Sequence, residues 1–192
     1  MNELYPVFLK VSEMKTLIVG GGAVGLEKLS FLLKSSPNAQ VRLVAKEVCE
    51  GVRELSQGKK VEIHEEAYRD DFLEGMQIAI AATDDLEVNL NVRRDAKKRN
   101  MLVNVADNPP YCDFYMGGIV TKGNLKIAIS TNGKSPTLAK RLRQLFEEVF
   151  PDNTNDLLEN LNTYRKTLKG DFEEKVEKLN ELTQDMIRKG KG

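Results

Sequence analysis

The sequence predicts an α/β fold: a doubly wound parallel sheet, then a small α+β segment, then a helical C-terminal region. Three observations carry that expectation. Short apolar runs alternate with longer amphipathic stretches over the first half of the chain. A cluster of glycines sits between the first apolar run and the first amphipathic stretch. Pro109-Pro110 then ends the alternation, and two β-rich runs and a series of charged amphipathic stretches follow. Strands alternating with helices at this spacing specify βαβ units, whose crossovers build a parallel sheet.

Taken in order, Thr16–Val19 (TLIV) is the first strand, and a helical pattern runs from the glycines to Lys34. Gln40–Ala45 (QVRLVA) is the second strand and Glu47–Leu55 a helix. Val61–His64 alternates apolar and polar, as a short strand near a sheet edge does. Gln77–Ala82 (QIAIAA) reads as a buried strand, Leu86–Asn100 as a helix charged on one side, and Met101–Val105 as the fifth strand. This delimits a first domain over 1–112.

In the next segment, 113–150, Gly118–Thr121 and Leu125–Ser130 are joined by Lys122-Gly123-Asn124, turn chemistry that makes a hairpin. Ser135-Pro136 offers an N-cap and a proline at the first helical position. Leu138, Leu142, Leu145, Phe146, Val149 and Phe150 then recur along one helical face. Residues 151–192 are the helical region. Leu157, Leu158, Leu161, Tyr164 and Leu168 form one stripe, and Phe172, Val176, Leu179, Leu182 and Met186 another. Such helices pack on each other or on a partner subunit. The terminal Lys-Gly-Lys-Gly is expected to fray.

Composition narrows the class. The chain has 192 residues, with 29 Lys+Arg against 29 Asp+Glu, and this balance argues against a bulk nucleic-acid binder. Its longest uncharged run, Thr16–Leu26, spans 11 residues, short of the ~18 of a membrane-crossing helix. Glu3, Lys10 and Glu13 interrupt the apolar opening, unlike a signal peptide. Cys49 and Cys112 lie far apart and suit a reduced, cytoplasmic protein. A single histidine, His64, speaks against chemistry needing a histidine cluster.

Gly20-Gly21-Gly22-Ala23-Val24-Gly25 fits G-x-G-x-x-G between a strand and a helix, the Rossmann-type arrangement for binding a dinucleotide. Gly20 permits the tight turn, Gly22 lets the backbone approach a pyrophosphate, and Gly25 lets the helix pack closely. The helix N-terminus adds N–H donors and a positive dipole. The second strand should end near an acid for the ribose, but this segment reads Ala45-Lys46-Glu47. Either Glu47 or the backbone of 45–47 holds the ribose, or Lys46 favours a 2′-phosphate. On these residues NAD and NADP both stand.

Thr83 ends the fourth strand on the same edge of the sheet, where it either bonds the cofactor or belongs to the next helix's cap. Asp107 lies just past the fifth strand, facing the same crevice as a general base or metal ligand, or as simple turn chemistry. Asn132, Lys134 and Ser135 belong to a polar loop that opens onto a helix N-terminus, an anion site or a plain cap.

Together these segments are recognisable. YPVFLKVSEMKTLIVGGG, AVGLEK, AIAATDD with Asn89 following, NVADNP and ISTNGKSPTLAKRLR come in the order and spacing of the precorrin-2 dehydrogenase family, the sirohaem-synthase N-terminal module and its stand-alone relatives. The chain resembles that family over residues 1 to about 150. The resemblance implies NAD-dependent oxidation of precorrin-2 to sirohydrochlorin on the way to sirohaem or cobalamin, in a homodimer built through 113–150. It places the NAD contacts at the glycine loop, Ala45-Lys46-Glu47 and Thr83, and the family's essential aspartate at Asp107. The loop bearing Asn132, Lys134 and Ser135 would border the tetrapyrrole pocket, where local positive charge suits a substrate with eight carboxylates. Gly25 stands where the family more often has alanine. Some members also insert iron into sirohydrochlorin; Asp107 is this chain's candidate for that step. The competing expectation is a non-enzymatic Rossmann-type nucleotide sensor whose C-terminal helices engage a partner.

Overall fold

Five β-branched or small apolar runs do form strands, each too short and too continuous to be a helix. In the computed structural model, which describes residues 2–188, they are β1 (Lys15–Val19), β2 (Gln40–Ala45), β3 (Val61–Glu65), β4 (Ile78–Ala81) and β5 (Leu102–Val105). They make one parallel sheet in the order β3-β2-β1-β4-β5, with Val19 beside Val44 on one flank and Ala81 on the other. Crossovers α1 (Ala23–Ser35), α2 (Glu50–Ser56) and α3 (Leu86–Lys98) complete a Rossmann-type doubly wound domain. Because strand side chains alternate, Ile18 and Leu43 pack with Leu29, Leu33 and Val52 on one face. Leu17, Val19 and Val44 pack with Val92, Leu73 and Val103 on the other. Both faces are covered, which is why these strands read as unbroken apolar runs.

The outer strand β3 carries the alternating pattern of an edge, as expected. The opposite edge, β5, is closed by the chain that follows it. Val103 N donates to Asp113 Oδ2 at 2.9 Å, and Asp113 N donates back to Val103 O at 2.7 Å. Val105 N donates to Cys112 Sγ at 3.3 Å, and that thiol donates to Val105 O at 3.2 Å. The Asp113 and Cys112 side chains and the Asp113 backbone N–H thus satisfy backbone groups that would otherwise invite another strand.

The chain divides into two units, 1–117 with 130–136, and 118–129 with 137–192. In the second, β6 (Gly118–Lys122) and β7 (Leu125–Ile129) pair antiparallel across Gly123-Asn124. Gly123 takes φ +58°, a left-handed value at the first turn position where glycine is favoured. Asn155 Oδ1 accepts from Asn124 N at 2.9 Å and braces the turn. Helices α4 (Pro136–Val149), α5 (Thr154–Thr167) and α6 (Phe172–Arg188) follow. Much of their apolar stripe stays uncovered: Leu145 is 50 % exposed, Val149 58 % and Leu182 57 %. The side chain of Met186 and residues 189–192 lie outside the described residues.

Candidate dinucleotide site

The strand order reverses between β1 and β4, so the crevice at their carboxyl ends is where an open α/β sheet holds its ligand. Gly20 leaves β1 at φ +130°, and a Cβ there would lie 2.6 Å from Ala82 C and 3.1 Å from Thr83 N. Only glycine can stand so close to the end of β4. Gly21, the motif's variable position, is equally constrained: a Cβ would come within 2.8 Å of Ala45 Cβ, and Gly21 O accepts from Cys49 N at 2.9 Å. Gly25 lets α1 pack directly on the turn, since a Cβ would sit 2.7 Å from Gly20 C.

Gly22 differs from all three. Nothing lies within 4 Å of where its Cβ would be, and its backbone is ordinary (φ −87°, ψ −161°). It is the N-cap of α1, with no side-chain cap and no acid in the first turn. Exposed Ala23 and half-buried Val24 follow. The first N–H groups of α1 therefore face open space with the dipole's positive end behind them, a seat for a phosphate. The cradle fits a dinucleotide.

At the end of β2, Ala45 is buried while Lys46 and Glu47 are exposed. Helix α2 begins at Glu50 rather than Glu47, because residues 46–49 turn back to meet Gly21 through the Cys49 bond. On the neighbouring strand β3, Glu65 stands in register with Ala45. Arg53 grips both its oxygens at 2.8 Å, and Val48 N donates to it at 3.3 Å. The guanidinium holds the Glu65 carboxyl below the ordinary carboxylate range. Glu65 is thus engaged in holding the loop, which leaves Lys46 and Glu47 as the charged side chains presented there.

Thr83 follows β4 and is held by α3. Its hydroxyl lies 2.8 Å from Asn89 Oδ1 and 2.9 Å from Asp85 O, able to donate to either, and accepts from Asp85 N at 3.2 Å. The cap of α3 is Asp85, which accepts from Glu87 N at 2.9 Å and Val88 N at 3.3 Å. Thr83 therefore shapes the turn from within.

Asp107 stands two residues beyond β5 with φ +57°, a left-handed conformation that Asp and Asn tolerate best among residues with a Cβ. Its carboxylate is exposed and makes no hydrogen bond or ion pair with any described residue. The turn around it is pinned: Asn108 Nδ2 donates to Ala106 O at 2.9 Å, and the Cys112 thiol reaches Asn108 O at 3.4 Å. Burial pushes that thiol's pKa up, so it stays a neutral bonding group.

Residues 130–136 group with the dinucleotide-binding unit rather than with the elements on either side of them. Thr131 closes this loop, lying 3.2 Å from Ser135 N and 3.1 Å from Ser135 O, with Asn132 and Gly133 at positive φ. Lys134 is exposed and without an ionic partner among the described residues. Among the described residues, no group of three or more His, Cys, Asp or Glu is arranged to hold a metal ion.

Residues 7–118, more than half of the chain, match the NAD(P)-binding family. The chain belongs to this family. Residues 122–148 match the central region of sirohaem biosynthesis proteins. The siroheme synthase of Pseudoalteromonas atlantica is 35% identical over 170 residues, covering 88% of this chain and 36% of that protein. That of Pseudoalteromonas translucida is 38% identical over 167 residues, covering 87% and 35%. The chain thus spans about a third of the length of these curated relatives. Its fold is that of SirC, a precorrin-2 dehydrogenase, at a TM-score of 0.77 and 24% identity, covering 96% of this chain and 92% of that one.

Only folding gives Asn89, Cys112 and Gly21 their roles. Gly21 was the one with a local signal, a glycine at a position where the motif asks for none.

Proposed function

We propose that this protein is an NAD-dependent precorrin-2 dehydrogenase that forms sirohydrochlorin. The observation that carries the reading is Asp107: an exposed carboxylate with no partner among the described residues, on a left-handed residue just past β5, at the same edge of the parallel sheet as the glycine cradle. A residue in so uncommon a conformation, pinned by its neighbours, is what a working group needs. The bound cofactor supplies the hydride acceptor at its nicotinamide. Gly22 and the α1 N-terminus bind its pyrophosphate, Ala45-Lys46-Glu47 border its ribose, and the Thr83 turn shapes the wall. The substrate loses a hydride and a proton, and Asp107 takes the proton as general base. Asn132, Lys134 and Ser135 bind substrate carboxylates, with Lys134 as the cation. NAD is preferred to NADP on the likeness to the precorrin-2 dehydrogenase family, since exposed Lys46 and Glu47 carry opposite charges and do not decide it.

The siroheme synthase likeness supports the same assignment, and Asp107 is the residue we assign to any later metal insertion. The uncovered stripes of α4 and α6 support a homodimer. We place the protein in the cytoplasm; no described helix is long and apolar enough to cross a membrane.

The test is NADH formation from enzymatically generated precorrin-2 and NAD⁺, anaerobically and without metal. NADH rising together with the sirohydrochlorin spectrum is expected. A rate no higher than the enzyme-free control, with NADH binding intact, would leave the nucleotide-sensor reading.

A further inference from the structure

One fully engaged polar side chain near the crevice has no part in the chemistry above. Asn89 sits in the first half of α3 and is only 3 % exposed. Its carboxamide points back at the turn before the helix. Asn89 Oδ1 accepts from Thr83 N at 3.1 Å and lies 2.8 Å from Thr83 Oγ1, while Asn89 Nδ2 donates to Thr83 O at 2.9 Å. One amide thus engages every polar group of a single residue.

That residue's position gives the clamp its consequence. The Ala82–Thr83 peptide is the one that closes on Gly20, leaving no room for a Cβ between them. Ala82 N is in turn tied to Val19 O at 2.8 Å. If the Thr83 backbone relaxed, it would move into or away from the first glycine of the cradle. A buried amide that fixes a backbone segment by donating and accepting at once is costly to leave half-satisfied, so the turn has one preferred geometry.

We propose that Asn89 is the positioning residue of the dinucleotide site, holding the β4–α3 turn in the geometry that Gly20 and the cofactor require. The proposal rests on the dinucleotide reading of the cradle. Asn89 itself touches no cofactor; it acts through Thr83. Its removal therefore weakens cofactor binding while leaving turnover at saturating NAD⁺ nearly unchanged.

The experiment is an NADH titration by the cofactor's own fluorescence, with thermal melts of each variant; the chain has no tryptophan to interfere. Asn89→Ala is expected to raise the NADH Kd by about tenfold, the loss of one or two net hydrogen bonds, with kcat at saturating NAD⁺ within about twofold. Val92→Ala, on the same helix and fully buried, is the control for mere destabilisation. It is expected to lower the Tm and leave the Kd alone. Should Asn89→Ala not fold, Asn89→Ser, whose single hydroxyl cannot bond Thr83 N and Thr83 O as the two ends of the amide do, is expected to raise the Kd by a smaller factor. The proposal is overturned if the folded Asn89 variant binds NADH as wild type does, or if Val92→Ala weakens binding equally. Wild-type protein that does not bind NADH would overturn the dinucleotide reading as well, so the two failures are distinguishable.

Discussion

Replacing Gly22 by alanine separates binding from folding, because the four motif glycines are constrained for different reasons. Gly22 has no atom within 4 Å of its would-be Cβ and a backbone that alanine adopts freely. Alanine is a poorer N-cap than glycine by up to about 1 kcal/mol, and removing a glycine stiffens the unfolded chain by about 0.4–1 kcal/mol. These nearly cancel, so the Tm should move by no more than about 4 °C. The new methyl group, however, stands where the phosphate must approach. Losing one charge-assisted N–H bond to phosphate costs about 1.5–3 kcal/mol, which raises the Kd roughly tenfold to a hundredfold. Thermal melts and NADH titration read the two quantities. Gly20→Ala is the contrast: at φ +130°, with a Cβ 2.6 Å from Ala82 C, it should lose stability and binding together. An unchanged Kd in Gly22→Ala would show that the open face is not the pyrophosphate seat.

Other variants probe the remaining groups. Asp107→Asn, which keeps the left-handed turn, should lower NADH formation by at least about a hundredfold and leave the NADH Kd unchanged, the size of effect a general base supplies; unaltered turnover would remove its catalytic role. Arg53 depresses the Glu65 pKa, so the pair's stabilisation is fully present above the ordinary Glu value of 4.5 and is lost as pH falls through the lower, folded value. Melts taken on acidification should therefore show Glu65→Gln converging with wild type at low pH; a constant gap would contradict the linkage. Leu145→Glu on the uncovered face of α4 should shift light-scattering mass from dimer to monomer without unfolding the dinucleotide unit, and an unmoved mass would place the interface elsewhere.

Much of this site was legible in the chain because it depends on local periodicity and on glycine. Alternating apolar runs placed every strand of the parallel sheet within a residue or two, since a strand buried on both faces needs an unbroken apolar run. The spacing of Gly20, Gly22 and Gly25 announced the tight strand-to-helix turn between β1 and α1. What the chain did not reveal were the long-range or side-chain-specific bonds. Glu47 looked like the start of a helix because its local propensity is helical, yet the Cys49–Gly21 bond delays α2 to Glu50. Cys112 reads in the chain only as one of two distant, reduced cysteines, yet it satisfies the edge of β5 and the turn bearing Asp107.

The sequence by itself determined the Rossmann-type sheet, its crossovers and the glycine cradle, because each follows from the residue types available within one strand, turn or helix. Only tertiary structure decided which groups remain free to act. Thr83 is bound up by Asn89, and Glu65 by Arg53, while the side chains of Asp107 and Lys134 are left without partners among the described residues. Whether a polar group is spent or available depends on what folding brings within about 3 Å of it, and no local pattern encodes that distance.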